Sequence, residues 1–192
     1  MNQTRMHRPK IQRPTIQLTT AAAFLLIAFT ATGCNSSKNS PTPQNFTKAL
    51  NAHFLDHPDC LLANTRFPFE TSDKTLTKQM DSLVAAQLLD KTEEASIHAS
   101  RYTVAPAGAR YAPRFCYGHR TVSNIDTATP LGVVNGFHQS AVTYHYTMED
   151  VPVWAKTPQV LAAFPQMAHA ISDQSVAKAT LDQTISGWEV PD

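Results

Sequence analysis

The sequence Ala141-Val-Thr-Tyr-His-Tyr-Thr-Met148 decides the fold, because large apolar side chains alternate with polar ones along it. A period of two predicts a β-strand that packs one face against a core. Residues 115–125 show the same period, and Ser175–Leu181 followed by Gly187–Val190 predicts a closing hairpin. Residues 113–192 are therefore expected to form a mainly antiparallel β-sheet.

A helical insertion is expected within this sheet. The residues Gly132–Gly136 predict a loop, and Asp150 predicts a capped helical turn further along the chain. Thr157-Pro158 predicts the start of a helix, since Thr is a favourable N-cap and Pro fits the first helical position. Pro165 is expected to end that helix.

The first half of the chain predicts two helices. Thr42 and Pro43 form a good helix start, and an apolar stripe continues from there to about Asp56. Asp73 can cap a second helix, which gives the strongest helical signal in the sequence. Its apolar face carries Leu76, Met80, Leu83, Val84 and Leu88.

Two further patterns complete the first half. The polar patch Asp90–Glu94 is expected to end the second helix, and Ser100–Ala105 alternates like a strand. Residues 45–192 are therefore expected to be a single α+β domain. Its helical part covers residues 45–112, and its sheet part covers residues 113–192.

Residues 1–33 are predicted to be a secretory signal peptide. Basic residues precede an apolar segment, Ala21–Ala31, which is too short to remain as a membrane span. The sequence Ala31-Thr-Gly-Cys34 resembles a bacterial lipobox, although Ala31 stands where that pattern usually has Leu. The resemblance implies a lipoprotein with a diacylglycerol on Cys34. The alternative is an ordinary signal peptide, with Cys34 as a spare thiol.

The segment after the signal peptide predicts a flexible tether at residues 34–44, because it is polar and has no periodicity. Residue 35 is Asn, and in Gram-negative lipoproteins Asp at this place favours retention in the inner membrane. The resemblance therefore implies the periplasmic face of the outer membrane. From residue 34 onward the chain has 12 basic and 15 acidic residues, a balance that argues against a nucleic-acid partner.

Three cysteines are an odd number for an exported protein. If Cys34 carries lipid, Cys60 and Cys116 remain. Two thiols in an oxidising compartment favour one disulfide, which would join the two halves of the domain. The alternative is a pair of buried free thiols.

Two segments resemble known folds. Residues 73–111, with Gln87-Leu88 and Tyr102–Gly108, resemble the second half of a winged helix. That family binds DNA, but residues 45–112 have no basic stripe, so the resemblance implies only a packing module. The C-terminal Gly187-Trp-Glu-Val190 resembles the last strand of NTF2-like lipoproteins, which implies a cone-shaped fold around an apolar pocket.

His53 and His57 are the candidate metal ligands. Their spacing of four residues brings two imidazoles to one helix face, as a zinc site requires. However, Phe54 stands where a metalloprotease motif has Glu, and His53 also lies on the apolar stripe. The alternative is a packed or surface pair of histidines.

His119, His138, His145 and Tyr144 are the candidate ligand-binding residues. They lie on neighbouring predicted strands, and together they could line a polar pocket that binds a small ligand or transfers a proton. The alternative places Tyr144 in the core and His145 in solvent, because alternation puts them on opposite faces.

The sequence has no phosphate-binding loop, nucleophile elbow, Cys-x-x-Cys motif or EF-hand loop, and it implies no cofactor. We therefore expect an envelope lipoprotein with a non-catalytic binding or structural role. Its implied partner is the membrane, through the lipid. The competing hypotheses are a periplasmic hydrolase-like enzyme using His119, His138 or His145, and a metal-binding module using His53 and His57.

Overall fold

A computed structural model describes residues 37–96, 98–172 and 175–191. The predicted signal peptide and Cys34 therefore lie outside the described residues. The fold is α+β, with antiparallel strand pairing in two sheets. The described residues belong to one compact unit.

The five-stranded sheet has the strand order β1-β5-β6-β7-β8. Its strands are β1 (Asp59–Cys60), β5 (Cys116–Val134), β6 (Phe137–Glu149), β7 (Ser175–Gln183) and β8 (Trp188–Glu189). Helix α1 (Pro43–Asp56) lies across this sheet and buries Phe46, Leu50 and Phe54 against it. From the sheet, Val142, Tyr144 and Leu181 contribute to the same core.

The predicted boundaries of α1 are confirmed. Thr42 Oγ1 accepts a hydrogen bond of 3.3 Å from the backbone N–H of Asn45, and Pro43 is the first helical residue. The helix ends at Asp56, because Pro58 disfavours helical backbone at His57.

The three-stranded sheet has the order β2-β4-β3. Its strands are β2 (Phe69–Thr71), β3 (Leu89–Glu94) and β4 (Ala99–Val104), and α2 (Lys74–Ala85) comes between β2 and β3. The Asp73 cap is confirmed, with Oδ1 accepting a 2.8 Å hydrogen bond from the N–H of Leu76.

The prediction that Asp90–Glu94 forms only a polar end to α2 is wrong, because these residues belong to β3. The strand lies at a sheet edge, where polar side chains stay in water while the backbone pairs. Neighbouring charges also support it, since Lys91 Nζ lies 3.2 Å from Asp81 and 3.1 Å from Glu93. The part predicted as helical thus contains a sheet of its own.

The predicted loop at Gly132–Gly136 is also wrong in part. β5 continues through Pro130 to Val134, and the chain turns at Asn135-Gly136, where φ is +51° and +85°. Positive φ at two successive residues suits a two-residue hairpin turn, in which Asn-Gly is strongly preferred. Pro130 is tolerated because β5 is an edge strand at this point.

The helical insertion follows β6. It contains a 3₁₀ turn (Val153–Lys156), α3 (Pro158–Ala163) and α4 (Pro165–Ala170). Pro165 ends α3 as predicted, but it also begins α4, which the sequence analysis missed. These helices pack with α2 around a second core that contains Met80, Leu83, Phe115, Trp154 and Met167.

The prediction of a flexible tether over residues 34–44 is wrong for residues 37–44. Asn45 Nδ2 donates to the carbonyl oxygens of Ser37 and Ser40 at 2.7 and 2.8 Å. Gln183 Nε2 donates to Asn39 O at 2.6 Å, and Trp188 Nε1 lies 3.2 Å from the same oxygen. The chain is therefore held against α1 at Ser37 and against the sheet at Asn39.

Candidate functional site

The four candidate ligand-binding residues do not converge on one pocket. His138 and His145 are seven residues apart on β6, which places them about 23 Å apart along the strand. Tyr144 is 1% exposed and packs in the core beneath α1, while His145 projects from the opposite face. The alternation in β6 therefore separates residues that are adjacent in sequence.

Two of the histidines lie beside carboxylates. His145 Nε2 is 2.9 Å from Asp126 Oδ2, and His119 Nδ1 is 3.5 Å from Asp150 Oδ2. A carboxylate can orient an imidazole by accepting a hydrogen bond from its ring N–H. Each His–carboxylate pair could take part in proton transfer, but the two pairs lie at separate places on the sheet.

The two candidate metal ligands lie at the end of α1. The rings of His53 and His57 stack with their centroids 4.3 Å apart, and His57 Nδ1 is 2.9 Å from the carbonyl oxygen of His53. Stacked rings present their faces to each other rather than directing two nitrogens at one point. Within residues 37–96, 98–172 and 175–191, no group of three or more His, Cys, Asp or Glu side chains is arranged to hold a metal ion.

One disulfide and two hydrogen bonds fasten β1, which follows α1, to β5. The structure joins Cys60 and Cys116 in a disulfide, consistent with the expected pairing, and their Cα atoms lie 3.7 Å apart on paired strands. Arg120 makes two hydrogen bonds to Asp59, of 2.9 and 2.8 Å. Burial lowers the pKa of Arg120, but the Asp59 carboxylate outweighs it and leaves that pKa above its ordinary value.

A cavity of about 590 Å³ lies where the two halves of the domain meet. Its walls come from the segment after β1, from β2, from α2, from β5 and from the junction of α3 and α4. The lining residues are Cys60, Leu61, Leu62, Thr65, Phe69, Leu76, Gln79, Met80, Tyr117, Phe164, Pro165, Gln166 and Met167. None of these side chains is charged.

Tyr117 is the titratable group in this lining. Burial, followed by the nearby negative charge of Asp59, raises the pKa of Tyr117 to about 12. Its phenol is therefore neutral throughout the physiological range and can donate a hydrogen bond. The amides of Gln79 and Gln166 can both donate and accept.

The sequence does not indicate this cavity. Its residues come from five segments between positions 60 and 167, so no local motif marks it. Leu76 and Met80 were assigned to the apolar face of the second helix, which was correct, but a core face and a cavity wall have the same periodicity. Only the arrangement of α2 against α3 and α4 distinguishes a core face from a cavity wall.

No helix in the described part of the chain is long and apolar enough to cross a membrane. Comparisons of the chain with protein-family models, with curated proteins and with solved structures find no match.

Proposed function

We propose that this protein is an envelope lipoprotein that binds a small uncharged molecule and has no catalytic role. In this proposal a diacylglycerol on Cys34 anchors it at the periplasmic face of the outer membrane. The basic residues, the short apolar segment and the Gly33-Cys34 pair support the anchor. The cavity between the two halves supports the binding role.

The uncharged lining of the cavity is the observation that carries the proposal. Its volume of about 590 Å³ falls within the usual range of roughly 300–1,000 Å³ for small-molecule sites. A charged ligand would lose hydration here without finding an opposite charge, which is energetically costly. The favoured ligand is therefore mainly apolar, with one or two groups that can hydrogen-bond to Tyr117, Gln79 or Gln166.

We also propose that the winged-helix-like residues 73–111 serve as a packing module rather than a nucleic-acid reader. α2 would be the recognition helix of that family, but it buries Met80 and Leu83 against the second core. Its Leu76 and Gln79 line the cavity. One helix thus supplies both a core face and a binding wall.

Binding can be tested with N-phenyl-1-naphthylamine, an uncharged apolar fluorophore. The protein is the chain from residue 34 onward with Cys34→Ser, so that no bilayer competes for the probe. We expect a saturable rise in fluorescence, and we expect Leu76→Lys to weaken it at least tenfold. Leu55→Lys is the matched control, because Leu55 is an exposed leucine on α1 and is absent from the cavity lining. Equal binding by both variants, or no saturable binding, would contradict the proposal.

The anchor has a separate test. Cys34→Ser in the full chain should leave an unprocessed precursor without acyl chains, because acylation requires the thiol. Cell fractionation of both forms distinguishes the outcomes. A wild-type protein that is cleaved, free of lipid and soluble in the periplasm would contradict the anchor and leave the binding role standing.

A further inference from the structure

The hairpin of β5 and β6 extends beyond the part of the sheet that α1 covers. We call residues 127–138 the arm, and every one of them is exposed. Its apolar side chains lie around the Asn135-Gly136 turn. They are Leu131, Val133, Val134 and Phe137, with 48%, 61%, 40% and 43% of their surface exposed.

The arm also carries no charged side chain. No Asp, Glu, Lys or Arg occurs from residue 127 to residue 148. Exposed edge strands usually carry charges that prevent association with other surfaces. An exposed, uncharged tip with four large apolar side chains is instead typical of an interaction surface.

The arm lies at the end of the domain where the chain from Cys34 joins it. Asn39 O accepts a hydrogen bond from Gln183, and Gln183 pairs with His138, which lies close to the tip of the arm. Pro41 shares a small cavity with Pro130 and His138. The first held residues and the arm are therefore immediate neighbours.

The distance from Cys34 to this end of the domain is short. Ser37 is the first residue of the held segment, and three residues span at most about 11 Å when fully extended. A lipid on Cys34 would thus keep this end of the domain against the bilayer. The exposed cation Lys38 on the same segment suits anionic headgroups.

We propose that the arm is a second membrane contact, with its apolar tip in the boundary between headgroups and acyl chains. This inference rests on the proposed lipid on Cys34. Leu131, Val133, Val134 and Phe137 would leave water for that boundary, and the arm presents no carboxylate to repel anionic lipids. The lipid restricts the domain to the surface, and the arm fixes which side faces it.

An environment-sensitive label can test the contact in the full, lipidated chain. Val133→Cys is labelled with a nitrobenzoxadiazole fluorophore and reconstituted into vesicles of phosphatidylethanolamine and phosphatidylglycerol. Val153→Cys is the matched control, because Val153 is 85% exposed and precedes α3, away from the arm. Cys60 and Cys116 form a disulfide, so the introduced thiol is the one that reacts.

We expect the label at residue 133 to shift to the blue and to resist aqueous quenchers, while the label at residue 153 remains water-like. Adding Phe137→Asp should reduce the shift at residue 133. Flotation of the vesicles reports the anchor independently. Protein that floats with a water-like label at residue 133 would overturn the arm contact alone, whereas protein that does not float would overturn both the anchor and the contact.

Discussion

The hairpin of β5 and β6 has two parts with opposite surroundings. Val122, Val142 and Tyr144 are buried beneath α1, whereas every residue of the arm at 127–138 is exposed. Both parts alternate in sequence and pair in the same ladder. Strand formation thus depends on local pattern and pairing, while burial depends on where a helix from elsewhere in the chain packs.

The largest expected contrast comes from removing one phenylalanine in each part. Phe46 is fully buried and its ring centroid lies 4.9 Å from that of Trp188, so Phe46→Ala should cost about 3–5 kcal/mol. Phe137→Ala in the arm should change the free energy of unfolding by no more than about 0.5 kcal/mol. Urea denaturation of the chain from residue 34 with Cys34→Ser measures both. Similar losses for the two variants would mean that the arm is packed in solution.

The second prediction concerns the disulfide that fastens β1 to the covered part of β5. Cys60 and Cys116 are 56 residues apart, so loop closure gives an upper figure of about 4 kcal/mol for the loss on breaking the bond. Cys60→Ser, Cys116→Ser and the double variant should lose similar amounts, because each breaks the same bond. Additive losses would indicate two independent side chains. So would two titratable thiols in the unfolded, non-reduced protein.

The third prediction is alkaline destabilisation through Tyr117. Its hydroxyl loses a proton near pH 10 in the unfolded chain and near pH 12 in the folded one, so the folded state holds more protons between these values. The free energy of unfolding should therefore fall as the pH rises from 10 to 12, by about 2–3 kcal/mol from this group.

Tyr117→Phe is the matched variant, because it keeps the ring and removes the titrating hydroxyl. Burial also raises the pKa of Tyr102 and Tyr144, so the wild type and the variant share that background. The unfolding free energy of the wild type minus that of the variant should fall with rising pH across this window. A difference that stays constant from pH 9 to pH 12 would contradict the shift.

The smallest predicted effect comes from removing one hydrogen bond between α1 and β5. The N–H of Val122, on the open edge of β5, donates a 2.8 Å hydrogen bond to Asn51 Oδ1 on α1. Asn51→Ala would leave that buried donor unpaired and should cost about 1 kcal/mol. Asn51→Asp should recover most of the loss because it keeps the acceptor, and the exposed Asn64→Ala should be neutral. Denaturation midpoints that do not differ among these variants would show that this hydrogen bond does not stabilise the fold.

The sequence predicted the parts of the fold that depend on local pattern. The caps at Thr42 and Asp73 and the alternation of residues 141–148 have short-range causes, so they were correct. Strand β3 was missed because cross-strand partners, not its own polar residues, hold it. The extent of β5 was not predicted, because the two glycines at 132 and 136 indicate a loop, whereas pairing with β6 extends the strand to Val134.

The candidate site was less predictable than the fold. The histidines were grouped because their strands are neighbours, but register and alternation place His138, His145 and Tyr144 at different heights or on different faces. The uncharged cavity forms between segments that are far apart in sequence, and its residues look like ordinary core positions. Chemistry that depends on tertiary assembly leaves no local motif.

If the lipid and the arm both contact the membrane, the end of the domain near residue 37 faces the bilayer, and the two tryptophans can report this orientation. Trp188 is paired with Gln183, which lies beside the tip of the arm. Trp154 lies beyond the other end of β6, whose residues 138–149 span about 36 Å. Energy transfer to dansyl-labelled headgroups is measured in vesicles carrying the lipidated Trp154→Phe or Trp188→Phe protein. We predict strong transfer from Trp188 and weak transfer from Trp154. Equal transfer, or stronger transfer from Trp154, would contradict the orientation in which the end near residue 37 faces the bilayer.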